Sequence, residues 1–368
     1  VFMKHGHKAT LLIGGATGLI GDPDGKTEER VLKSTEEITK YKKTIVAQYQ
    51  HIFHGYKFDV VDNYDWFKGL GYLEFLRDIG KHVPMRQMSG ALVRQRVLPE
   101  MLGRDFVEKR LSETGAGISY AEFSYVLIQA YDFLYLNQKK GVTLQLAGSD
   151  QWGNSIAGVD LIRRITGNEA HVWTTPLVIN KSTGKKFGKS EGGAVWLDEK
   201  MTSVYQFYQF WLNAEDEGVE EYLKIYTELD KNKIDLAMAE FNLNRKTRFA
   251  QRLLAYEVTK FVHGEKRAKE VAKATDVLFA EGNFVELEKE EKQILKNEFG
   301  SVKYSADLAE VMVNAGLASS KKEARTFLSS GAVHINGQKA GPENLDLFVS
   351  GLNLVKRGKN SFAIVDKK

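Results

Sequence analysis

Residues 9 to 21 of the chain read Ala9-Thr10-Leu11-Leu12-Ile13-Gly14-Gly15-Ala16-Thr17-Gly18-Leu19-Ile20-Gly21. The apolar run from Ala9 to Ile13 is typical of a strand buried on both faces, and the glycines after it predict a tight turn. A polar helix is expected from about Thr27. Strand, glycine turn and helix in this order predict an α/β unit with a parallel sheet.

Polar and aromatic residues follow the next predicted strand, Phe58 to Val61. The segment Asn63-Tyr64-Asp65-Trp66 lies at its carboxyl end, where open α/β sheets place the residues that contact ligands. A third strand is expected from Leu144, ending in the small and polar residues Gly148 to Asn154, and a fourth at Pro176 to Ile179. The sequence therefore predicts a ligand site at one edge of a sheet.

The composition limits the chemistry that the chain can perform. Its 368 residues are enough for more than one domain, and cysteine is absent, which excludes disulfides and thiol nucleophiles. The eight histidines show no metal-ligand spacing, so no protein-bound metal is expected. The apolar runs are shorter than the roughly 20 residues of a membrane span, and the first residues lack a signal-peptide pattern. We therefore expect a cytoplasmic protein that is not bound to a membrane.

Two segments approach the phosphate-binding pattern GxxxxGK[ST]. Gly21 to Thr27 and Gly184 to Ser190 each have three residues between their glycines, whereas a P-loop needs four. One residue changes which backbone amides point at a phosphate, so a P-loop is excluded. The spacing from Gly15 to Gly21 is GxxGxxG, and Asp22-Pro23 would interrupt the helix start that binds a dinucleotide pyrophosphate. A nicotinamide enzyme is therefore not expected.

A polar stripe runs along the otherwise apolar helix predicted at Phe123 to Leu134. Tyr125, Gln129 and Asp132 are spaced i, i+4 and i+7, so they fall on one face. Buried polar side chains need partners, which a core helix with satisfied hydrogen bonds or a binding site would each provide. Both interpretations are open at this point.

The segment Lys186-Phe187-Gly188-Lys189-Ser190 has the composition of a mobile loop that binds a polyphosphate. A solvated lysine-rich turn would have the same composition. The position of the segment, after an apolar strand and before a helical region, favours phosphate binding.

The second half of the chain is predicted to be helical and then mixed. Helical patterns run from Thr202 to about Glu290, and a linker is expected near Phe299 to Ser305. Two short helices (306–315 and 320–328) and short strands (332–335, 352–355 and 362–365) follow, with Asn336-Gly337 as a hairpin turn. Residues 301–368 carry ten Lys and Arg against six Asp and Glu, which indicates a polyanionic partner, although an ordinary solvated surface would show the same excess.

Six segments, in the same order along the chain, resemble those of bacterial-type tyrosyl-tRNA synthetases. They are 14–26, 123–132, 148–154, 186–190, 205–211 and 258–265, and residues 307–359 are similar to the S4 RNA-binding module. The resemblance covers essentially the whole chain. It implies an α/β fold with a Rossmann-like, parallel-sheet class I synthetase catalytic domain at 1–199, including a helical connective insertion at about 72–140. An all-α domain on the anticodon side at 200–298 and a small α+β S4-like RNA-binding domain at 305–368 would follow.

The resemblance also implies a ligase that activates L-tyrosine with ATP, accompanied by Mg²⁺, and then transfers the tyrosyl group to tRNA(Tyr). Asp132 would accept a hydrogen bond from the tyrosine hydroxyl. Tyr125, Gln129 and Asp22 would bind the α-ammonium group, with Asn63 and Gln145 supporting the pocket. The adenylate would contact Gly148, Asp150 and Gln151, and the pyrophosphate would contact Lys186, Lys189 and Ser190 on one side and Lys26 and Arg30 on the other. RNA contacts are expected from Lys321, Lys322, Arg325, Lys356, Arg357 and Lys359.

Two features depart from the family pattern. The HIGH signature is missing, and His5-Gly6-His7 aligns with the helix end after it, so we expect the chain as given to lack an N-terminal part and to activate tyrosine poorly. The segment Ser89 to Met101 contains extra residues in a neighbourhood that usually builds the dimer interface. A symmetric homodimer is still expected.

Two other functions fit parts of the pattern. A non-catalytic RNA-binding protein could retain the C-terminal module, but the polar residues at Asp22, Gln129, Asp132, Lys186 and Lys189 argue against a decayed pocket. A related tryptophan-activating enzyme is the third hypothesis, and a carboxylate at Asp132 opposite a phenol favours tyrosine.

Overall fold

The computed structural model describes residues 1–20, 34–83, 119–179, 195–279, 282–358 and 361–368. The chain divides into two compact units, Val1–Ile179 and Asn180–Lys368. No helix within the described ranges has both the length and the apolar character that crossing a membrane requires.

The described part of the first unit contains two parallel strand pairs and the helices that connect them. The strands are β1 (Ala9–Ile13), β2 (Phe58–Asp62), β3 (Leu144–Gly148) and β4 (His171–Thr175); the helices are α1 (Thr17–Ile20), α2 (Thr35–Ile52), α3 (Tyr64–Phe67), α4 (Tyr72–Asp78), α5 (Tyr120–Lys140) and α6 (Trp152–Thr166), with short 3-10 helices at Phe2–His5, Gly80–His82 and Ser149–Gln151. β1 pairs with β2, with Ala9 opposite Phe58, and β3 pairs with β4, with Leu144 opposite His171. This is the predicted α/β arrangement.

Local sequence signals position the long helices of this unit. α2 begins after Ser34, whose side chain accepts from the Glu37 backbone while the Glu37 carboxylate accepts from the Ser34 backbone, a capping box. α5 and α6 pack against each other through buried side chains that include Phe133, Leu134 and Leu161. This packing fixes the orientation of α5 and therefore of its polar stripe.

Three of the four predicted strands of the first unit are confirmed, and one was placed wrongly. β1, β2 and β3 lie where the sequence predicts strands. The strand expected at 176–179 is instead β4, at His171–Thr175, whose residues alternate between exposed and partly buried and therefore form no continuous apolar run. The expected helix start at Thr27 and the extra residues at Ser89 to Met101 lie outside the described residues.

The described part of the second unit is helical and then contains a mixed sheet. Its helices are α7 (Val204–Leu212), α8 (Val219–Tyr226), α9 (Lys231–Leu243), α10 (Phe249–His263), α11 (Glu265–Phe279), α12 (Lys289–Phe299), α13 (Leu308–Asn314) and α14 (Lys321–Ser329), with 3-10 helices at Arg245–Thr247, Phe284–Glu286 and Leu345–Leu347. The strands β5 (Val302–Lys303), β6 (Val333–Ile335), β7 (Gln338–Lys339), β8 (Gly351–Arg357) and β9 (Ser361–Lys367) form a sheet in the order β5-β9-β8-β6-β7. β5 pairs in parallel with β9, and the other pairs are antiparallel.

The turn chemistry of the C-terminal sheet matches the sequence prediction. Ser320 caps α14 by accepting a hydrogen bond from the Glu323 backbone. Asn336 and Gly337 have φ angles of 52° and 89°, the left-handed conformations that a tight hairpin between β6 and β7 requires. Both signals are local, which is why the sequence alone predicts them.

The segment expected to be a linker is part of the packed second unit. β5 lies inside it and pairs with β9, and the ring of Phe299 lies 4.8 Å from the ring of Phe362 on β9. An ion pair of 2.9 Å joins Lys296 on α12 to Asp366 on β9. The C-terminal sheet is therefore held against the helical part through contacts that span this segment.

Candidate functional site

Helix α5 carries the predicted polar stripe in the first unit. Asp132 is 3% exposed, while Tyr125 and Gln129 are half-buried on the same helix. Two residues close to Asp132 along α5, Ala130 and Phe133, are buried in the core that α5 shares with α6. Asp132 therefore sits on a rigid element and has little freedom to move away from its partners.

Both carboxylate oxygens of Asp132 accept hydrogen bonds from neutral donors. Asn63 Nδ2 donates to Oδ2 at 3.0 Å, and Trp66 Nε1 donates to Oδ1 at 2.9 Å. Burial raises the pKa of Asp132 to about 7, against the effect of these two hydrogen bonds, and the negative charge of Asp62 adds to the rise. A buried carboxyl group with a pKa shifted this far is a candidate for a functional site.

Asn63 links Asp132 to the glycine turn after β1. It is fully buried, and its Nδ2 also donates to the hydroxyl of Thr17 at 3.1 Å. Its Oδ1 accepts a hydrogen bond from the backbone N–H of Ala16 at 2.6 Å. The side chain therefore has defined partners on the turn and on α5, and its amide orientation is fixed by both.

Trp66 is a site residue that sequence reasoning did not assign. Its ring stacks on Tyr135 of α5, with ring centroids 4.4 Å apart and an interplanar angle of 19°. This stacking directs the indole N–H toward Asp132. The sequence offered one signal, the position of Trp66 just after β2, but its partner is remote along the chain.

The carboxyl end of β3 brings a second group of predicted residues near α5. Asn154 on α6 donates through Nδ2 to Gln129 Oε1 at 3.1 Å and to Gln151 Oε1 at 3.2 Å. At Gly148 an added Cβ would lie 2.6 Å from a carboxylate oxygen of Asp150, so a larger residue there would displace the Asp150 side chain. Asn154 was not assigned from the sequence, yet it connects a predicted tyrosine-binding residue with a predicted nucleotide-binding residue.

Gln145 on β3 leaves a buried acceptor unused. Its Oε1 is buried and has no hydrogen-bond partner among the described residues. A buried amide oxygen without a partner costs free energy, about 1 to 3 kcal/mol for a typical polar group. The group is therefore suited to accept a hydrogen bond from a bound ligand.

Several predicted site residues lie outside the described ranges. They are Asp22, Lys26, Arg30, Lys186, Lys189, Ser190 and Lys359. Their roles stay predictions.

The structure separates the predicted RNA-binding cations into two kinds. Lys322 and Arg325 are exposed on one face of α14, and Lys321 is paired with Asp307 and Glu310 at 3.0 and 3.3 Å. The side chains of Lys356 and Arg357 face inward. Lys356 donates to the backbone oxygen of Leu278, and Arg357 donates to that of Leu317 at 2.7 Å and lies over the ring of Phe327.

Comparison with known proteins identifies the family. Residues 1–280 match the family described as tRNA synthetases class I (W and Y), and residues 286–365 match the tyrosine–tRNA ligase SYY-like C-terminal domain. The tyrosine–tRNA ligases of Streptococcus pyogenes serotype M5 (strain Manfredo) and serotype M18 (strain MGAS8232) are 41% and 42% identical over 375 residues, which cover 98% of this chain and 85% of each relative.

Solved structures agree with this assignment. A C-terminally truncated mitochondrial tyrosyl-tRNA synthetase from Aspergillus nidulans superposes with a TM-score of 0.63 at 31% identity, covering 75% of this chain and 78% of that one. The corresponding protein from Coccidioides posadasii gives a TM-score of 0.56 at 32% identity, covering 73% and 74%. Sequence and fold therefore agree, and this chain belongs to the class I tRNA synthetases of the tryptophan and tyrosine family.

Proposed function

We propose that this protein is a tyrosine–tRNA ligase. It activates L-tyrosine with ATP to give tyrosyl-adenylate and pyrophosphate, and then transfers the tyrosyl group to the 3′-terminal adenosine of tRNA(Tyr). The observation that carries the proposal is the buried carboxylate of Asp132, held by Asn63 and Trp66. A carboxylate has about four acceptor positions, so two donors leave room for a phenol O–H.

The Asp132 carboxylate explains a preference for tyrosine. The tyrosine hydroxyl donates to it, whereas phenylalanine in the same position would leave a buried charge without that partner, at a cost of about 1.5 to 3 kcal/mol. The ionised form is the better acceptor. Because the pKa of Asp132 is about 7 in the free protein, tyrosine binding should strengthen as the pH rises through neutrality.

The α-ammonium group of tyrosine binds at the outer end of the stripe. Tyr125 and Gln129 contact it together with Asp22, and Asn154 holds the Gln129 side chain in place. Asn63 and Gln145 support the pocket, and the unpartnered Oε1 of Gln145 is an acceptor of the kind that an ammonium group needs.

The reaction needs no protein nucleophile. The tyrosine carboxylate attacks the α-phosphorus of ATP in line, so catalysis consists of positioning the reactants and stabilising charge on the leaving pyrophosphate. Gly148, Asp150 and Gln151 contact the ribose and adenylate. The cations Lys26, Arg30, Lys186 and Lys189, with Ser190, stabilise the pyrophosphate, and Mg²⁺ enters with ATP as part of the substrate.

The C-terminal part of the second unit binds tRNA as an S4-like module. The face of α14 that exposes Lys322 and Arg325 supports this role, because exposed cations on one helix face attract phosphates. Lys321 and Lys359 add further cations for phosphate contacts. Lys356 and Arg357 donate to internal carbonyl groups, so their contribution to RNA binding is the positive charge that they add to the module.

The active form is a cytoplasmic homodimer. Tyr72, Leu73 and Tyr120 are 60%, 78% and 61% exposed, and the Tyr72 and Tyr120 hydroxyls lie 3.1 Å apart on neighbouring helices. An exposed apolar patch of this kind supports association with a second copy of the chain. Sedimentation at micromolar concentration tests it, and a monomer there would refute it.

Isothermal titration with tyrosine, tryptophan and phenylalanine tests the proposed specificity. Tyrosine should bind most tightly and, at pH 7, should release about half a proton per site, because the phenol O–H stabilises the ionised carboxylate. Titration in two buffers of different ionisation enthalpy measures that proton. Asp132→Asn should abolish the proton release, whereas Asp65→Asn, which changes an exposed carboxylate nearby, should preserve it. Equal binding of tryptophan, or tyrosine binding without proton release, would refute the proposal.

A further inference from the structure

Asp62 is a buried carboxylate to which the proposed reaction assigns no role. It is the last residue of β2 and is 6% exposed. Its Oδ1 accepts from the backbone N–H groups of Gly15 at 3.1 Å and Tyr64 at 2.9 Å. Its Oδ2 lies 2.6 Å from the ammonium group of Lys42 on α2. The charge is thus paired and hydrogen-bonded, and removing one partner of such a buried pair is expected to be costly.

The glycine turn after β1 is fitted to this carboxylate. At Gly15 an added Cβ would lie 2.2 Å from Asp62 Oδ1, so only glycine allows the approach. The next backbone N–H, that of Ala16, donates to Asn63. Asp62 and Asn63 therefore hold two consecutive amides of the turn.

This arrangement connects Asp62 to Asp132, the carboxylate that is proposed to accept the tyrosine hydroxyl. The Oδ1 of Asn63 is engaged by the turn, which leaves its Nδ2 directed at Asp132 and Thr17. A shift of the turn would change the orientation of the Asn63 amide and, with it, the hydrogen bond to Asp132. The same carboxylate acts on Asp132 through its charge, which Lys42 partly balances.

We propose that Asp62, paired with Lys42, is a positioning residue for tyrosine recognition: it fixes the glycine turn so that Asn63 holds Asp132 in its accepting orientation. The inference rests on the proposed function, because it assumes that Asp132 accepts the tyrosine hydroxyl. Asp62 itself does not touch the substrate.

Two variants and their combination test the proposal. Asp62→Asn keeps the shape but removes the charge and one acceptor, and Lys42→Met keeps the aliphatic stem but leaves Asp62 unpaired. At pH 8.5 each should weaken tyrosine binding by about threefold to tenfold, and the double variant should weaken it by less than the product of the two, as expected for coupled neighbours. Asp65→Asn and Lys68→Met break an exposed pair of 3.2 Å beside the site and should leave binding unchanged.

The pH profile separates positioning from a merely structural role. Among the described residues, the charged group that acts on Asp132 is Asp62, and the titratable group beside it on α5 is Tyr131. Removing the negative charge in Asp62→Asn should move the midpoint of tyrosine binding to lower pH. Leaving that charge unpaired in Lys42→Met should move the midpoint to higher pH. A loss of stability alone would not shift the two midpoints in opposite directions.

Hydrogen exchange of the ligand-free protein provides a second measurement. The amides of Gly15 and Tyr64 should exchange faster in Asp62→Asn and in Lys42→Met than in the wild type. Variants that bind tyrosine with wild-type affinity and midpoint, or that leave these amides unchanged, would overturn the inference while the proposed function stands. A wild-type protein that binds no tyrosine would overturn both.

Discussion

Asp132→Asn is expected to change how the stability of the protein depends on pH. Burial raises the pKa of Asp132 from 3.8 to about 7. A carboxyl group whose pKa is raised in the folded state stabilises the folded protein below its unfolded-state pKa, and this contribution is lost as the pH rises through the folded-state pKa. One pKa unit is worth about 1.4 kcal/mol, and the slope has fallen to half at the folded-state pKa, so between pH 5 and pH 7 the wild type should lose about 2 kcal/mol relative to the variant.

Urea unfolding of both proteins without tyrosine at pH 5, 6, 7 and 8 measures this difference. Other carboxyl groups titrate alike in the two proteins and cancel. In the variant, the NH2 group of the introduced asparagine must face Asn63 or Trp66, which are both donors. The variant should therefore also be less stable by an amount that does not depend on pH. The free energy of unfolding of the wild type minus that of the variant should fall up to about pH 7 and flatten above it. Parallel curves over the whole range would refute the raised pKa of Asp132 and the argument from burial.

Three further outcomes follow from the contacts of the two units. Trp66→Phe keeps a stacked ring but removes a donor to Asp132, so the pKa of Asp132 should rise further and tyrosine binding at pH 7 should weaken about tenfold by isothermal titration; a pH profile identical to the wild type would contradict this. Asn154→Ala should weaken binding of a non-hydrolysable tyrosyl-adenylate analogue about threefold to tenfold, and an unchanged thermal shift with the analogue would count against it. Lys322→Ala should lower tRNA affinity and reduce the slope against salt by about one unit, and Lys321→Ala should have a smaller effect because its charge is already paired. Filter binding at several salt concentrations distinguishes the two.

The elements that the sequence predicts correctly carry their signals locally. β1 is a short, mostly apolar run that ends at a glycine turn, β2 has Phe58, Val60 and Val61 before a polar segment, and α14 has its serine cap in the sequence. β4 lacks such a signal because its residues alternate in exposure. Its assignment depends on pairing with β3, a contact that periodicity along one segment does not reveal.

The same distinction applies to the site. The spacing of Tyr125, Gln129 and Asp132 follows from the helical repeat, so the sequence places them on one face. The donor Trp66 is 66 positions away from Asp132, and Asn154 is 25 positions away from Gln129, so only tertiary packing brings each pair together. Charge in the sequence is equally ambiguous, as the inward-facing Lys356 and Arg357 demonstrate.

The buried polar groups of the two units differ in how fully their hydrogen-bonding capacity is used. In the second unit, Asn336 and Asn353 bond to each other and to neighbouring backbone groups, which satisfies the turn that they stabilise. At Asp132 the effect of burial exceeds that of the two neutral donors, and the pKa of the carboxyl group is raised. An apolar or neutral residue would serve folding better at such a position, because a buried charge stabilises a fold only when its partners compensate for lost water. The proposed function gives this costly carboxylate a role, because the tyrosine hydroxyl is a donor that the remaining acceptor capacity of Asp132 can take.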